Sequence, residues 1–213
     1  MIELKNISKI YKGRNILNNI SFKFKDKGCI GIVGPNGCGK SVLLNCICGF
    51  IKPNSGEVII DNKIIGKDID YIINAGIIVN SPNMVPHLSI EDNLQLISKI
   101  LNLKETNNRI NILLKYFELE EDKYTLFDNC SQGMKQKTRL IQALMEPSKY
   151  LILDEPTVAL DHHMIKKLRD LLLELKKDKL IIITSHNDQD IKLLCDEIYE
   201  FRDGRIEKYE EIN

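Results

Sequence analysis

The sequence predicts an α/β fold in which a parallel sheet is covered by helices, with a small antiparallel β lobe and an inserted α-helical lobe. Three observations predict it. Short apolar runs such as YLILD (150–154) and KLIIIT (179–184) are bounded by polar residues, the pattern of strands buried on both faces. Helix-like segments alternate with such runs. The stretch from about 81 to 145 instead carries amphipathic helical patterns with no strong strand between them.

The elements follow in chain order. The first thirty residues and 58–65 alternate apolar and polar, which predicts the antiparallel lobe. GCIGIVG (28–34) is a buried strand ending in glycine, and SVLLNCICGF (41–50) is a helix ended near Gly49. PNSGEVIID (53–61) is a turn feeding a strand, and AGIIVN (75–80) is another buried strand. SIEDNLQLISKIL (89–101) has a capping Ser89 and apolar residues at helical spacing, and NNRINILLKYF (107–117) is a second amphipathic helix. In CSQGMKQKTRL (130–140) a Ser and a Gly open a basic helix, presenting backbone N–H groups as an anion site does. One domain results: β lobe and core at about 1–80, helical lobe at about 81–145, and the rest of the core at about 146–213.

Composition narrows the function. A chain of 213 residues suits one domain with a sizeable core. Its 30 basic and 30 acidic residues cancel, without the basic excess of a nucleic-acid binder. No apolar run approaches the roughly 18–20 residues of a membrane span. The start lacks the apolar core of a secretory signal, so a cytosolic protein is expected. The six cysteines are irregularly spaced, as expected of reduced core residues. Cys38 is the exception. It lies between Gly37 and Gly39 in an electropositive loop near a helix start, where a thiolate is stabilised.

GPNGCGKS (34–41) fits G-x-x-x-x-G-K-[ST], following a buried strand and opening a helix. The glycines let successive N–H groups turn inward onto phosphate oxygens. Lys40 reaches the terminal phosphates, and the Ser41 hydroxyl suits Mg²⁺. YLILDEP (150–156) places Asp154 and Glu155 at the C-terminal end of a strand, where open α/β sheets bind ligands. Asp154 suits the metal through water, and Glu155 suits a base polarising water toward the γ-phosphate. IIITSH (181–186) brings His186 to the same edge if the strands are parallel.

These motifs resemble those of the ATP-binding subunit of an ABC transporter, over nearly the whole chain. Tyr11 lies where that family stacks an aromatic on adenine. Residues 34–42, namely Gly34, Pro35, Asn36, Gly37, Cys38, Gly39, Lys40, Ser41 and Val42, resemble its Walker A segment, with Val42 in place of the common Thr. LILDEP resembles its Walker B strand, Ala159–Leu160–Asp161 its D-loop, and His186 its switch histidine. SQGMKQ (131–136) resembles its signature, usually LSGGQ. The resemblance implies a P-loop NTPase (RecA-like) core, ATP with Mg²⁺, and catalytic roles for Glu155 and His186. It also implies a head-to-tail homodimer in which Ser131, Gln132, Gly133, Gln136 and Asp161 contact the partner's ATP. Asn80 occupies the place of the Q-loop glutamine and is expected at the metal beside Ser41 and Asp154.

The expected function is ATP hydrolysis driving a separate membrane permease at the cytoplasmic face of the membrane, with no nucleic-acid partner. The GMKQ form resembles the branch exporting drugs and peptides, including bacitracin- and bacteriocin-type systems. A soluble ABC-type ATPase is the alternative, but those resemble fused double cassettes or carry coiled-coil inserts. A P-loop kinase or GTPase fits less well, given the signature and the lack of an N-K-x-D motif.

Overall fold

The computed structural model describes residues 1–80, 84–103, 106–185 and 188–211. Strands β1 (Ile2–Tyr11) and β2 (Arg14–Lys23) form an antiparallel hairpin. β4 (Ser55–Ile60) pairs antiparallel with β1, and the short β5 (Lys63–Ile64) with β4. Alternation along this four-stranded sheet puts Ile2, Leu4, Val58 and Ile60 inside, as the period-2 pattern requires.

The second sheet holds β3 (Gly28–Val33), β6 (Ala75–Ile78), β7 (Tyr150–Asp154), β8 (Leu180–Thr184), β9 (Glu197–Arg202) and β10 (Arg205–Glu211). Its order is β10-β9-β3-β8-β7-β6. All pairings are parallel except β9 with the edge strand β10. Both faces are dry along the central strands β3, β7 and β8, which is why those strands read as continuous apolar runs. Leu151, Leu153, Ile181 and Ile183 face one core. Tyr150, Ile152, Leu180 and Ile182 face the other, beneath the antiparallel sheet.

Helix α1 (Lys40–Cys48) packs in the core shared with the antiparallel sheet. On the opposite face lie α2 (Ile90–Ile100), α3 (Thr106–Tyr116), α4 (Gln132–Leu144), α5 (His162–Leu175) and α6 (Asp188–Leu194). Ser89 caps α2, accepting from the Asp92 N–H at 3.0 Å. Helix α4 lies against β6, and Gly76 is the reason it can: a Cβ there would overlap the Ala143 carbonyl. Because β3, β6, β7 and β8 run parallel, their C-terminal ends share one edge, with Asp154 in register with Thr184. Among the described residues, no helix is long and apolar enough to cross a membrane.

Candidate nucleotide site

The loop from β3 to α1 turns where only glycine fits. Gly34 has φ 149°, and an added Cβ would lie 2.5 Å from the Phe201 carbonyl oxygen. Gly39 has φ 124°, and its Cβ would lie 2.8 Å from Ile16. Gly39 is also the N-cap of α1 and supplies no side-chain acceptor. The first-turn N–H groups are therefore left for an anion. Lys40 is buried, and its Nζ donates to the carbonyls of Gly34 at 2.7 Å and Pro35 at 3.1 Å. An ionised phosphate oxygen is a stronger acceptor than either carbonyl.

Beside this loop opens a cavity of about 670 Å³, within the range of small-molecule sites. Its lining joins residues far apart in sequence: Tyr11 and Ile16 from the hairpin, Asn36, Gly37 and Gly39 from the loop, Lys40, Ser41 and Val42 from α1, and Asn80, Asp154 and Glu155 from the sheet edge. Tyr11 is exposed, offering a ring face on which a base can stack. Lys9, Asn45 and Ile51 complete the lining. They carry no motif, and only the approach of the hairpin and α1 brings them in.

At the sheet edge, Thr184 bonds the Asp154 carboxylate and the Glu155 backbone. Its Oγ1 donates to Asp154 Oδ1 at 2.6 Å. The Glu155 N–H donates to Thr184 Oγ1 and to the Thr184 carbonyl, each at 3.1 Å. Glu155 has φ 50°, a left-handed conformation costing about 1–3 kcal/mol in a non-glycine residue. The bonds from β8 help sustain it. Sequence reasoning missed Thr184, because its role depends on strand register rather than on a motif.

Asn80 also has a left-handed backbone, with φ 56°. Its Nδ2 donates to Asn45 Oδ1 at 3.0 Å, and Asn45 Nδ2 donates to the Ser41 carbonyl at 2.6 Å. The Ser41, Asp154 and Asn80 side chains bring hard oxygen donors to the cavity wall, a set that fits Mg²⁺ with waters and phosphate oxygens completing the shell.

Other predicted residues lie elsewhere. Gly34 and Pro35 line an adjoining recess of about 370 Å³ with Ser185 and Glu200. Cys38 lines neither space and is half-buried against the core. Ser131 is the N-cap of α4, accepting from the Met134 N–H at 3.2 Å, and Asp161 caps α5 in the same way, from Met164 at 2.8 Å. Gly133 abuts the Ala159 carbonyl. None of Ser131, Gln132, Gly133 and Asp161 lines the cavity of its own chain. Gln136, expected at a partner's nucleotide, is instead buried and donates Nε2 to the Pro156 carbonyl at 2.9 Å. That bond ties the signature helix to the loop after Glu155. His186 lies outside the described residues.

Residues 17–158 match the ABC transporter family model. The chain belongs to the ABC transporter ATP-binding family. This ABC cassette is 35% identical over 213 residues to YybJ, an uncharacterised ABC transporter ATP-binding protein of Bacillus subtilis (strain 168), covering 100% of the chain and 97% of the relative. It is 31% identical to the linearmycin resistance ATP-binding protein LnrL of the same organism, over 93% of the chain and 65% of the relative. It is 33% identical to the spermidine/putrescine import ATP-binding protein PotA of Mycoplasma capricolum, over 98% of the chain and 60% of the relative. Among solved structures, the dimeric post-hydrolysis state of the ATP-binding cassette MJ0796 bound to ADP and Pi superposes with a TM-score of 0.88 at 28% identity, covering 100% of this chain and 99% of that one. The cassette is an ATP-binding protein and an ATPase. Relatives named for import and for resistance both occur, so the family is shown while the export branch expected from GMKQ is not.

Proposed function

We propose that the cassette energises a separate membrane permease, as an ATP-bridged pair of copies at the cytoplasmic face of the membrane. The observation that carries the pairing is the position of α4. Its N-terminus holds Ser131, Gln132 and Gly133 in a form suited to phosphate, yet none of them lines the cavity of its own chain. A second copy placed head to tail supplies a nucleotide for it to meet. The neighbour MJ0796 is a dimer in its solved structures. The pairing uses Ser131, Gly133 and Asp161 and leaves out the buried Gln136 side chain.

Within each site the loop N–H groups and Lys40 hold the phosphates, and Tyr11 stacks on the base. Glu155 takes the proton from the attacking water, and His186 acts beside the γ-phosphate. Ser41, Asp154 and Asn80 hold Mg²⁺, which supplies charge neutralisation on the phosphates. An apolar groove of about 660 Å³ between the sheet and the helical lobe suits a permease segment. Phe50, Tyr71, Ile73, Ile100 and Leu101 expose large apolar surface there, more than a free surface ordinarily leaves in one place. Export of a drug or peptide is the direction we favour, on the SQGMKQ signature and the likeness to the linearmycin resistance protein.

Glu155→Gln tests the pairing. The amide cannot accept the proton, so turnover should fall roughly 100-fold or more. ATP with Mg²⁺ should then shift the variant to a dimer in size exclusion. A variant that stays monomeric under ATP removes the pairing, and one with wild-type turnover removes Glu155 as the base. Co-purification with a permease tests the transporter role.

A further inference from the structure

We propose that Asn45 is a positioning residue for hydrolysis, holding the carboxamide of Asn80 in the orientation that presents its oxygen to the metal side of the site. This rests on the reading of Asn80 as a metal-side contact.

Asn45 lies on α1 one turn after Ser41, so the two share a helix face. It is 3% exposed, and its helix neighbours Leu43, Leu44, Cys46, Ile47 and Cys48 are buried too. Packing alone favours an apolar residue at such a place, because burying an amide is costly unless both ends are bonded. Here both ends are bonded. The Ser41 carbonyl can only accept, so the end of Asn45 facing it at 2.6 Å is Nδ2. The opposite end is then Oδ1, which can only accept. Asn80 must turn its own Nδ2 toward it, and does so at 3.0 Å. Two successive constraints therefore set the flip of an amide whose two ends are nearly the same in shape. They leave Asn80 Oδ1 as the end not turned toward Asn45, on a residue that lines the cavity with Ser41, Asp154 and Glu155.

The bond also answers a departure in the sequence. Asn is one methylene shorter than the glutamine of the resembled Q-loop, so its amide has less reach. The left-handed backbone at Asn80 and the anchor on α1 fix where that shorter amide sits. Ser41 and Asn80, two of the three proposed metal-side residues, are thus joined through one side chain.

The test is a double-mutant cycle on the full chain with Asn45→Leu, Asn80→Ala and the pair. It reads ATP hydrolysis, ATP affinity with Mg²⁺ and with EDTA, and thermal unfolding. Asn45→Leu should keep or raise Tm and leave ATP affinity in EDTA unchanged. It should lower kcat about 3–10-fold with KM little altered, the size expected for losing one oriented hydrogen bond, and reduce the gain in ATP affinity that Mg²⁺ confers. The double variant should be no slower than Asn80→Ala alone, since both changes remove one interaction. If Asn45→Leu does not fold, Asn45→Ala carries the same expectations for kcat and for the Mg²⁺ effect, Ala being the best helix former. Wild-type kcat and Mg²⁺ response in the Asn45 variant, beside a slowed Asn80→Ala, overturns the positioning role and spares Asn80. So does additivity of the two changes. Wild-type behaviour of Asn80→Ala overturns the reading beneath both.

Discussion

Helices α1 and α4 both begin at residues expected to meet ATP phosphates, and they finish their N-termini in opposite ways. Helix α1 starts from Gly39, with no side-chain cap, inside a wall of its own chain. Helix α4 starts from Ser131, whose hydroxyl already accepts the Met134 N–H, at an exposed place away from that cavity. An uncapped helix start is incomplete without an anion, whereas a capped one is stable alone. The contrast suits one end to bind the nucleotide in every copy and the other to engage it only on pairing.

The largest effect that sharpens this contrast comes from Lys40→Ala. Removing the charge-assisted bonds of a buried ammonium should weaken ATP binding roughly 10–100-fold in a direct titration. Ser131→Arg should leave ATP binding by the single chain nearly intact while abolishing hydrolysis. Equal loss of binding in both variants breaks the contrast, because α4 would then serve its own chain.

Modification separates the two ends further. Cys29, Cys46, Cys48, Cys130 and Cys195 are buried, and Cys38 alone of the six is half-buried. Burial pushes the Cys46 thiol up to about 11 and the Cys48 thiol up to about 12, so neither forms thiolate readily near neutral pH. Maleimide should therefore react at Cys38 first; the thiol lines neither the cavity nor its adjoining recess, so it should inhibit the ATPase only through the phosphate loop that carries it, and ATP bound on that loop should protect. Sensitivity that persists in Cys38→Ala assigns the effect to another thiol.

The smallest effects compare two glycines. Gly39→Ala forces an alanine to φ 124° against Ile16, a cost of about 1–3 kcal/mol and a fall in Tm of roughly 2–12 °C for a chain this long. Gly133→Ala meets Ser131 Oγ at an ordinary 3.9 Å and the Ala159 carbonyl at 3.0 Å. A gain in helix propensity of about 1 kcal/mol offsets that contact, so Tm should hardly move. A larger loss at Gly133 than at Gly39 in thermal unfolding reverses the ranking of the two turns.

Sequence alone determined the buried strands, the phosphate loop, the pair Asp154–Glu155 and the caps Ser89 and Ser131. Each of these rests on local chemistry: apolar runs that must be dry on both faces, glycines that alone tolerate the turn, and side chains that complete a helix start. Helix α5, which buries Met164, Leu168 and Leu172 on one face, was not among the helices expected from the sequence, although its apolar spacing is local too. The β9–β10 hairpin was not expected from the sequence: β9 fully buries Ile198 and Phe201 alone, and the described side chains of β10 are mostly exposed. Tertiary structure alone decided what crosses between elements. The register of β7 with β8 set Thr184 against the Asp154 carboxylate and the Glu155 backbone N–H. The seating of α4 on β6 turned Gln136 inward to Pro156. The approach of α1 to the end of β6 joined Asn45 to Asn80, 35 residues apart in the chain. Such bonds leave little trace in a single sequence, because an Asn, Gln or Thr that completes a distant partner has the same local preferences as one that faces water.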